Sequence, residues 1–195
     1  MNAYPLRTIN CLTFVAYSGA RIVLDGYYVT GQPSAAAYPG IASAGVKSVV
    51  CVRQPGEAAA PPPVPPPPAF DPQEESAEFA RLGIAWTSVP ITRTMTQAQF
   101  DAAATQAVIA FLSNAGLGPA MVHCSTGDRA SSVFAAMLIA LGTPNADAAQ
   151  FGTNQLLLAN SSIIALVEGY QPPAAAVAEI RELAAASLVA LPPLA

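Results

Sequence analysis

This chain is poor in charge, in lysine, in histidine and in cysteine. Charged residues fill 10% of its 195 positions, and Lys47 is the sole lysine. Eight basic residues against twelve acidic ones leave a formal net charge of −4. The arginines are scattered, so no basic stripe exists to track a phosphate backbone, and a nucleic-acid partner is not expected. There is one histidine, His123, and three widely separated cysteines, Cys11, Cys51 and Cys124. Neither a zinc-binding spacing nor a disulfide framework emerges, so neither metal nor cofactor is expected. Long apolar runs are missing as well. Hydrophobic residues reach 53%, yet no window approaches the roughly 18 consecutive apolar residues of a membrane span. Residues 11–20 follow Arg7 and carry small residues at Ser18 and Ala20, as before a signal cleavage site. Thr13, Tyr17, Ser18 and Gly19 make that run weakly apolar. The expectation is a cytoplasmic chain without a membrane partner.

Proline and apolar periodicity are what the chain has instead. Nineteen prolines occur, many of them in the stretch 58–69. Proline fixes φ and lacks the backbone donor, so this stretch is expected to be a polyproline II excursion on the surface. It is read as an insertion loop, with a docking site for a proline-binding partner as the alternative. Asp25-Gly26 within 21–30 predicts a tight hairpin between two short strands. Ser34 is placed to cap a short alanine-rich helix that stops at Gly45. The β-branched run 46–52 predicts a buried strand. Asp71-Pro72 opens a helix that stops at Gly83, and 84–91 predicts the next strand. Thr96 with Gln99 forms a capping box for a helix to about Asn114. A strand over 119–123, a helix to Leu141, and further helices over 145–158 and 174–191 complete the pattern. Strands alternating with helices indicate an α/β domain with a mainly parallel central sheet. One domain is expected over 1–195, with its core at about 21–170.

The segment 122–132 carries the chemistry. Cys124 opens a short loop, Ser125-Thr126-Gly127-Asp128, which Arg129 closes before an apolar helix. A loop running into a helix N-terminus offers free N–H groups and the positive end of the dipole. Such a site binds anions and favours thiolate over thiol. Gly127 permits the positive φ that turns successive N–H groups inward. Arg129 brings a planar fork suited to a tetrahedral oxyanion. A cation at a helix start opposes the dipole unless an anion compensates it. Ser131 or Ser132 is placed to donate a hydrogen bond to the sulfur. His123 either tunes the thiol or bonds the backbone at a strand end. Arg53 follows a strand that should end on the same sheet edge, where it either supports substrate or is solvated. Cys51, inside an apolar strand, reads as inert core. The partner implied is a small anion.

These residues resemble the cysteine-dependent phosphatases, whose signature is His-Cys, five residues, then Arg. Here four residues separate Cys124 from Arg129. That spacing is more similar to the bacterial phosphatase-like domain of beta-lactamase-hydrolase-like proteins and to a related sulfurtransferase group. Gly31-Gln32-Pro33-Ser34 resembles that domain's early turn, and the segment 45–53 with Gly56-Glu57 its first parallel strand and following loop. The resemblance spans about 26–141. It implies a three-layer phosphatase-like fold and hydrolysis of phosphate monoesters through a cysteinyl-phosphate, with Cys124 and Arg129 catalytic. Ser125, Thr126, Gly127 and Asp128 would bind substrate. Two departures stand out. The loop 91–96 lacks the family's general-acid Asp, leaving Asp101 or Asp128 as substitutes. A six-residue cradle is also the length found in rhodanese-like sulfurtransferases, which carry a persulfide on the cysteine. Sulfur transfer is therefore the alternative, and a non-catalytic anion-binding module the third reading.

Overall fold

The computed structural model describes residues 7–8, 13–15, 21–23, 27–33, 35–57, 70–115, 119–187 and 189–191. Its main sheet has five strands: β1 (Arg7–Thr8), β4 (Tyr27–Thr30), β7 (Ala120–His123), β5 (Ser48–Cys51) and β6 (Ala85–Ser88), in that spatial order. β4, β7, β5 and β6 run parallel, and β1 pairs antiparallel with β4 at one edge. β2 (Thr13–Val15), β3 (Arg21–Val23) and β8 (Val189–Leu191) form a separate antiparallel sheet.

Strand alternation divides the main sheet's side chains between two apolar layers. On one face Val49 and Met121 pack with Tyr38 and Ile41 of α1 (Tyr38–Ser43) and Phe79 of α2 (Pro72–Arg81). On the other, Val29, Val50 and Val122 pack with α3 (Gln97–Ala115), α4 (Asp128–Ala140), α5 (Asn145–Gln155), α6 (Ser161–Glu168) and α7 (Ala174–Ser187). The result is three layers, helices on both faces of a mainly parallel sheet, as the alternating pattern implied. β5 and β7 are buried on both faces, hence their largely apolar sequences.

Local signals set several helix ends. Asp71 caps α2 by accepting from Gln73 N–H at 2.7 Å, and Pro72 occupies the first turn. Thr96 N–H bonds Gln99 Oε1 at 2.9 Å, and Gln99 N–H reaches back to Thr96 Oγ1 at 3.4 Å, the reciprocal pair expected. Near 35–43 a 3₁₀ turn, Ala35–Ala37, leads into α1. Ser34 and the proline stretch lie outside the described residues.

Three expectations need correction. Residues 21–30 are not a hairpin. β3 belongs to the small sheet, while β4 runs parallel to β7. Burial of Tyr27 and Val29 between two neighbours outweighs the turn preference of Asp25-Gly26, itself outside the described residues. The last helix stops at Ser187, and Val189–Leu191 is a strand. A short apolar run is ambiguous by periodicity, and Pro192 disfavours helix at the residue before it. The helix expected over 145–158 ends at Gln155, and α6 follows, capped by Asn160, whose Oδ1 accepts from Ser162 and Ile163 N–H. Among the described residues, no helix is long and apolar enough to cross a membrane.

Candidate active site

β7 lies inside the sheet and ends at the thiol loop, at the carboxyl edge where α/β sheets place their ligands. Flanking segments clamp the loop. Cys124 N–H bonds Thr30 O, Val52 N–H bonds His123 O at 2.9 Å, and Gln32 N–H bonds Ser125 O at 3.0 Å. Gly31 passes so close that a Cβ there would sit 3.0 Å from Ser125 O. Gly127, at φ +93°, caps α4 and turns its N–H onto Cys124 Sγ at 3.1 Å. The first-turn N–H groups of α4 have no acceptor in their own helix and face outward from its positive end. Cys124 and Ser125 are buried; Thr126 is exposed.

The anion that compensates Arg129 belongs to the protein. Arg129 Nη1 donates to Glu57 Oε2 at 2.8 Å and to Ile91 O at 2.9 Å, and Nη2 donates to Glu57 Oε1 at 2.5 Å. A guanidinium has five N–H donors. Those three bonds leave Nε–H and one Nη2–H, the two that make a side-on fork. Burial works against the guanidinium's charge, but the Glu57 hydrogen bond and the neighbouring Cys124 and Glu57 raise its pKa. Glu57 is lowered against its own burial by Arg129.

Adjacent residues His123 and Cys124 serve opposite faces of the sheet, so His123 does not reach the thiol. It points into the α1–α2 layer, fully buried, with Nε2 3.2 Å from Glu75 Oε2. The angle is poor for a hydrogen bond, and neither ring nitrogen has a well-directed partner. The contact is a charge pair. Burial opposes the imidazolium, but Cys51 and Glu75 outweigh it and raise His123 to about 10. Glu75 falls to about 2, against its own desolvation, through His123 and the donors around it. Cys51, Glu75 and His123 offer ligand atoms within 4.8 Å of one another. They do not form a ready metal set. Glu75 Oε1 accepts from Gln32 and Tyr38, and Oε2 accepts from Trp86 beside the imidazole, which occupies the carboxylate's lone pairs. Cys51 is buried beside Glu75 and His123.

Other expected site residues serve the scaffold. Ser131 Oγ donates to Gly127 O at 2.8 Å and accepts from Leu157 N–H; Ser132 Oγ donates to Arg129 O. Neither serves the sulfur, because a helical hydroxyl finds a carbonyl one turn back. Asp128 Oδ1 accepts from Ala159 and Asn160 N–H, both at 2.9 Å. Asp101 accepts from Gln97 and from Gln171 N–H. Arg53 is neither solvated nor aimed at substrate: it is 3% exposed, donates to Gln32 Oε1 at 2.9 Å and Glu57 O at 2.8 Å, and lies over the Phe70 ring.

A chain of polar contacts therefore leads away from the loop: Arg129, Glu57, Arg53, Gln32, Glu75, His123. Its members Glu57, Gln32 and Glu75 escaped sequence reasoning as site residues. Glu57 stands 72 positions from Arg129, and Gln32 stands 43 from Glu75. The usable signals were a carboxylate after the β5 strand and a lone acid facing the apolar side of α2. A groove of about 590 Å³ is lined by Gln54, Thr92, Thr94, Met95, Gln99 and Gln106.

No family model matches the chain, and no curated protein matches it. Solved structures do. The core catalytic domain of the PP-IP phosphatase Siw14 from S. cerevisiae, in complex with citrate, is 15% identical with a TM-score of 0.54, over 79% of this chain and 86% of that one. P. aeruginosa TpbA is 16% identical with a TM-score of 0.54, over 93% of this chain and 98% of that one. A cysteine-to-serine variant of TpbA in complex with pTyr is 14% identical with a TM-score of 0.51, over 91% and 94%. The likeness is one of fold: the chain shares the architecture of these phosphatase structures.

Proposed function

We propose that this chain is a cysteine-dependent phosphatase-like hydrolase acting on small phosphorylated substrates. The observation that carries the reading is the Arg129 fork. Glu57 and Ile91 take the inner hydrogens, and the outer two fit two oxygens of one phosphoryl group. Loop amides and the α4 dipole take the remaining oxygen charge. Cys124 Sγ attacks phosphorus, the bond to the leaving oxygen breaks, and water then cleaves the cysteinyl-phosphate. Thr126 and Gly127 line the cradle through their backbone, and His123, Ser131 and Arg53 support it from behind. Hydrolysis of an aryl phosphate, lost in Cys124→Ser while phosphate still binds, is the expected result. No hydrolysis by the parent chain overturns the proposal.

One observation favours a second reading, sulfur transfer. Only four residues separate Cys124 from Arg129, so the cradle has fewer amides for three phosphoryl oxygens. In that reading Cys124 attacks the sulfane sulfur of thiosulfate and sulfite departs with the bonding pair, leaving a persulfide. A mass gain of one sulfur on Cys124 without phosphate ester hydrolysis decides for it. Anion binding with neither reaction decides for a non-catalytic module.

A further inference from the structure

Among the described residues, the acids nearest the thiol are held in place by other groups of the protein. Twelve acidic residues occur in the chain. Two stand on or against the thiol loop, Asp128 and Glu57. Asp128 is 4% exposed; its Oδ1 is held by two backbone N–H groups, while its buried Oδ2 has no hydrogen-bond partner and lies 3.8 Å from Arg93 Nη2. Glu57 is bonded through both oxygens to Arg129, which favours its ionised form. Asp101, on the helix that follows the 91–96 loop, turns to Gln97 and Gln171. Other acids stand on or at α2, α5, α6 and α7; Asp25 lies outside the described residues. The loop 91–96 itself offers Thr92, Arg93 and Thr94. The groove offers amides, hydroxyls and a thioether. Amides, hydroxyls and a thioether are not general acids at neutral pH.

We infer that this site accepts phosphoryl groups only from weakly basic leaving groups, namely aryl phosphates, acyl phosphates and phosphoric anhydrides, and not from alkyl phosphates. The inference rests on the phosphoryl-transfer reading above. When Cys124 Sγ bonds to phosphorus and the P–O bond breaks, the electron pair stays on the leaving oxygen, which departs as an anion without a proton from the protein. A phenoxide, with a conjugate acid near pKa 10, tolerates this. An alkoxide, about as basic as hydroxide with its parent pKa of about 15.7, does not. Positioned acids ordinarily supply about 10²–10⁴ in rate, and that gain is what an alkyl ester needs. Arg93 supports the same conclusion. It is more than half exposed, with Nη2 3.8 Å from Asp128 Oδ2, so it brings a positive charge beside the thiol loop.

The test is a series of aryl phosphates of graded phenol acidity, with acetyl phosphate, pyrophosphate and an alkyl phosphate alongside. The expected result is a kcat/KM that falls steeply with leaving-group pKa, by close to tenfold per unit. Alkyl phosphate turnover is expected to be at least about 10⁴-fold below the best aryl substrate, with no descending basic limb from roughly pH 6 to 9. In Asp128→Asn the slope is expected to match the parent, whatever rate remains. If that variant does not fold, the parent slope alone decides. A shallow slope, or a basic limb that vanishes in Asp128→Asn, overturns the inference and leaves phosphoryl transfer standing. Failure to hydrolyse even the most activated aryl phosphate overturns both.

Discussion

Replacing Gly127 with alanine tests how tightly the thiol loop is built. At φ +93° a side chain is strained, at roughly 1–2 kcal/mol for an L-residue in left-handed backbone. The new Cβ would also sit 2.2 Å from Leu157 Cδ1 and 3.0 Å from Leu157 Cβ. The Leu157 tip can swing away, but its Cβ moves only with the backbone. Leu157 N–H is fixed by Ser131 and the neighbouring amides by Asp128. Overpacking of this kind costs about 1–3 kcal/mol. Together the two effects amount to about 2–5 kcal/mol, a large part of the roughly 5–15 kcal/mol that holds a domain folded. At about 2–4 °C per kcal/mol for a chain this size, Tm falls by about 4–20 °C. Denaturant unfolding of Gly127→Ala, Leu157→Ala and the double variant separates the causes. The double variant should recover the overpacking part and retain the backbone part, a non-additivity of about 1–3 kcal/mol. A Gly127→Ala variant within about 0.5 kcal/mol of the parent refutes the reasoning, and strict additivity refutes the role of Leu157.

The remaining predictions concern the chain of polar contacts that starts at Arg129. Glu75, at about 2, lies below its ordinary 4.5, so its contribution is present above pH 4.5 and lost as pH falls toward 2. His123, at about 10, lies above its ordinary 6.5, so its contribution is complete below pH 6.5 and lost as pH rises through 10. Their joint contribution therefore peaks between pH 4.5 and 6.5. Glu75→Gln should lower unfolding stability there by about 3 kcal/mol and flatten both limbs; a parent-like pH profile contradicts the pairing. Glu57→Gln should weaken competitive inhibition by phosphate by about tenfold, because Arg129 loses one charged anchor worth about 1.5 kcal/mol. Unchanged inhibition means that Arg129 is aimed by something else. Gln32→Leu removes the link between Arg53 and Glu75, and iodoacetamide alkylation of Cys124 should then slow at neutral pH. An unaltered rate–pH curve shows that this chain of contacts does not reach the sulfur.

Elements with local signals were legible in the sequence. Asp71-Pro72 and Thr96 with Gln99 mark helix starts because capping involves only neighbours along the chain. The β-branched run around Val49 and Val50 marks a strand because burial on both faces demands it. The thiol loop was legible for the same reason: a cysteine, a glycine at positive φ and a helix start occupy one short segment. What escaped detection depends on partners far away in sequence. Nothing near Tyr27 indicates that β4 will join β7 rather than β3. Nothing near Arg129 points to Glu57. His123 is a different case. Strand alternation alone puts it on the face opposite Cys124, and its position beside the cysteine in the chain suggested a contact that this alternation forbids. Ser131 and Asp128 were legible as neighbours of the thiol, but the bonds of Ser131 Oγ and Asp128 Oδ1 to distant backbone were not.

The bonds from Ser131 and Asp128 to the α5–α6 connection have a mechanical consequence. Leu157, Ala159 and Asn160 are pinned to residues that either close the sulfur's cradle or begin the helix beneath it. A force applied to the outer surface at 156–160 is therefore delivered to the nucleophile's cradle. Tags, crosslinks or insertions placed in that stretch should disturb reactivity more than their distance from the sulfur along the chain suggests.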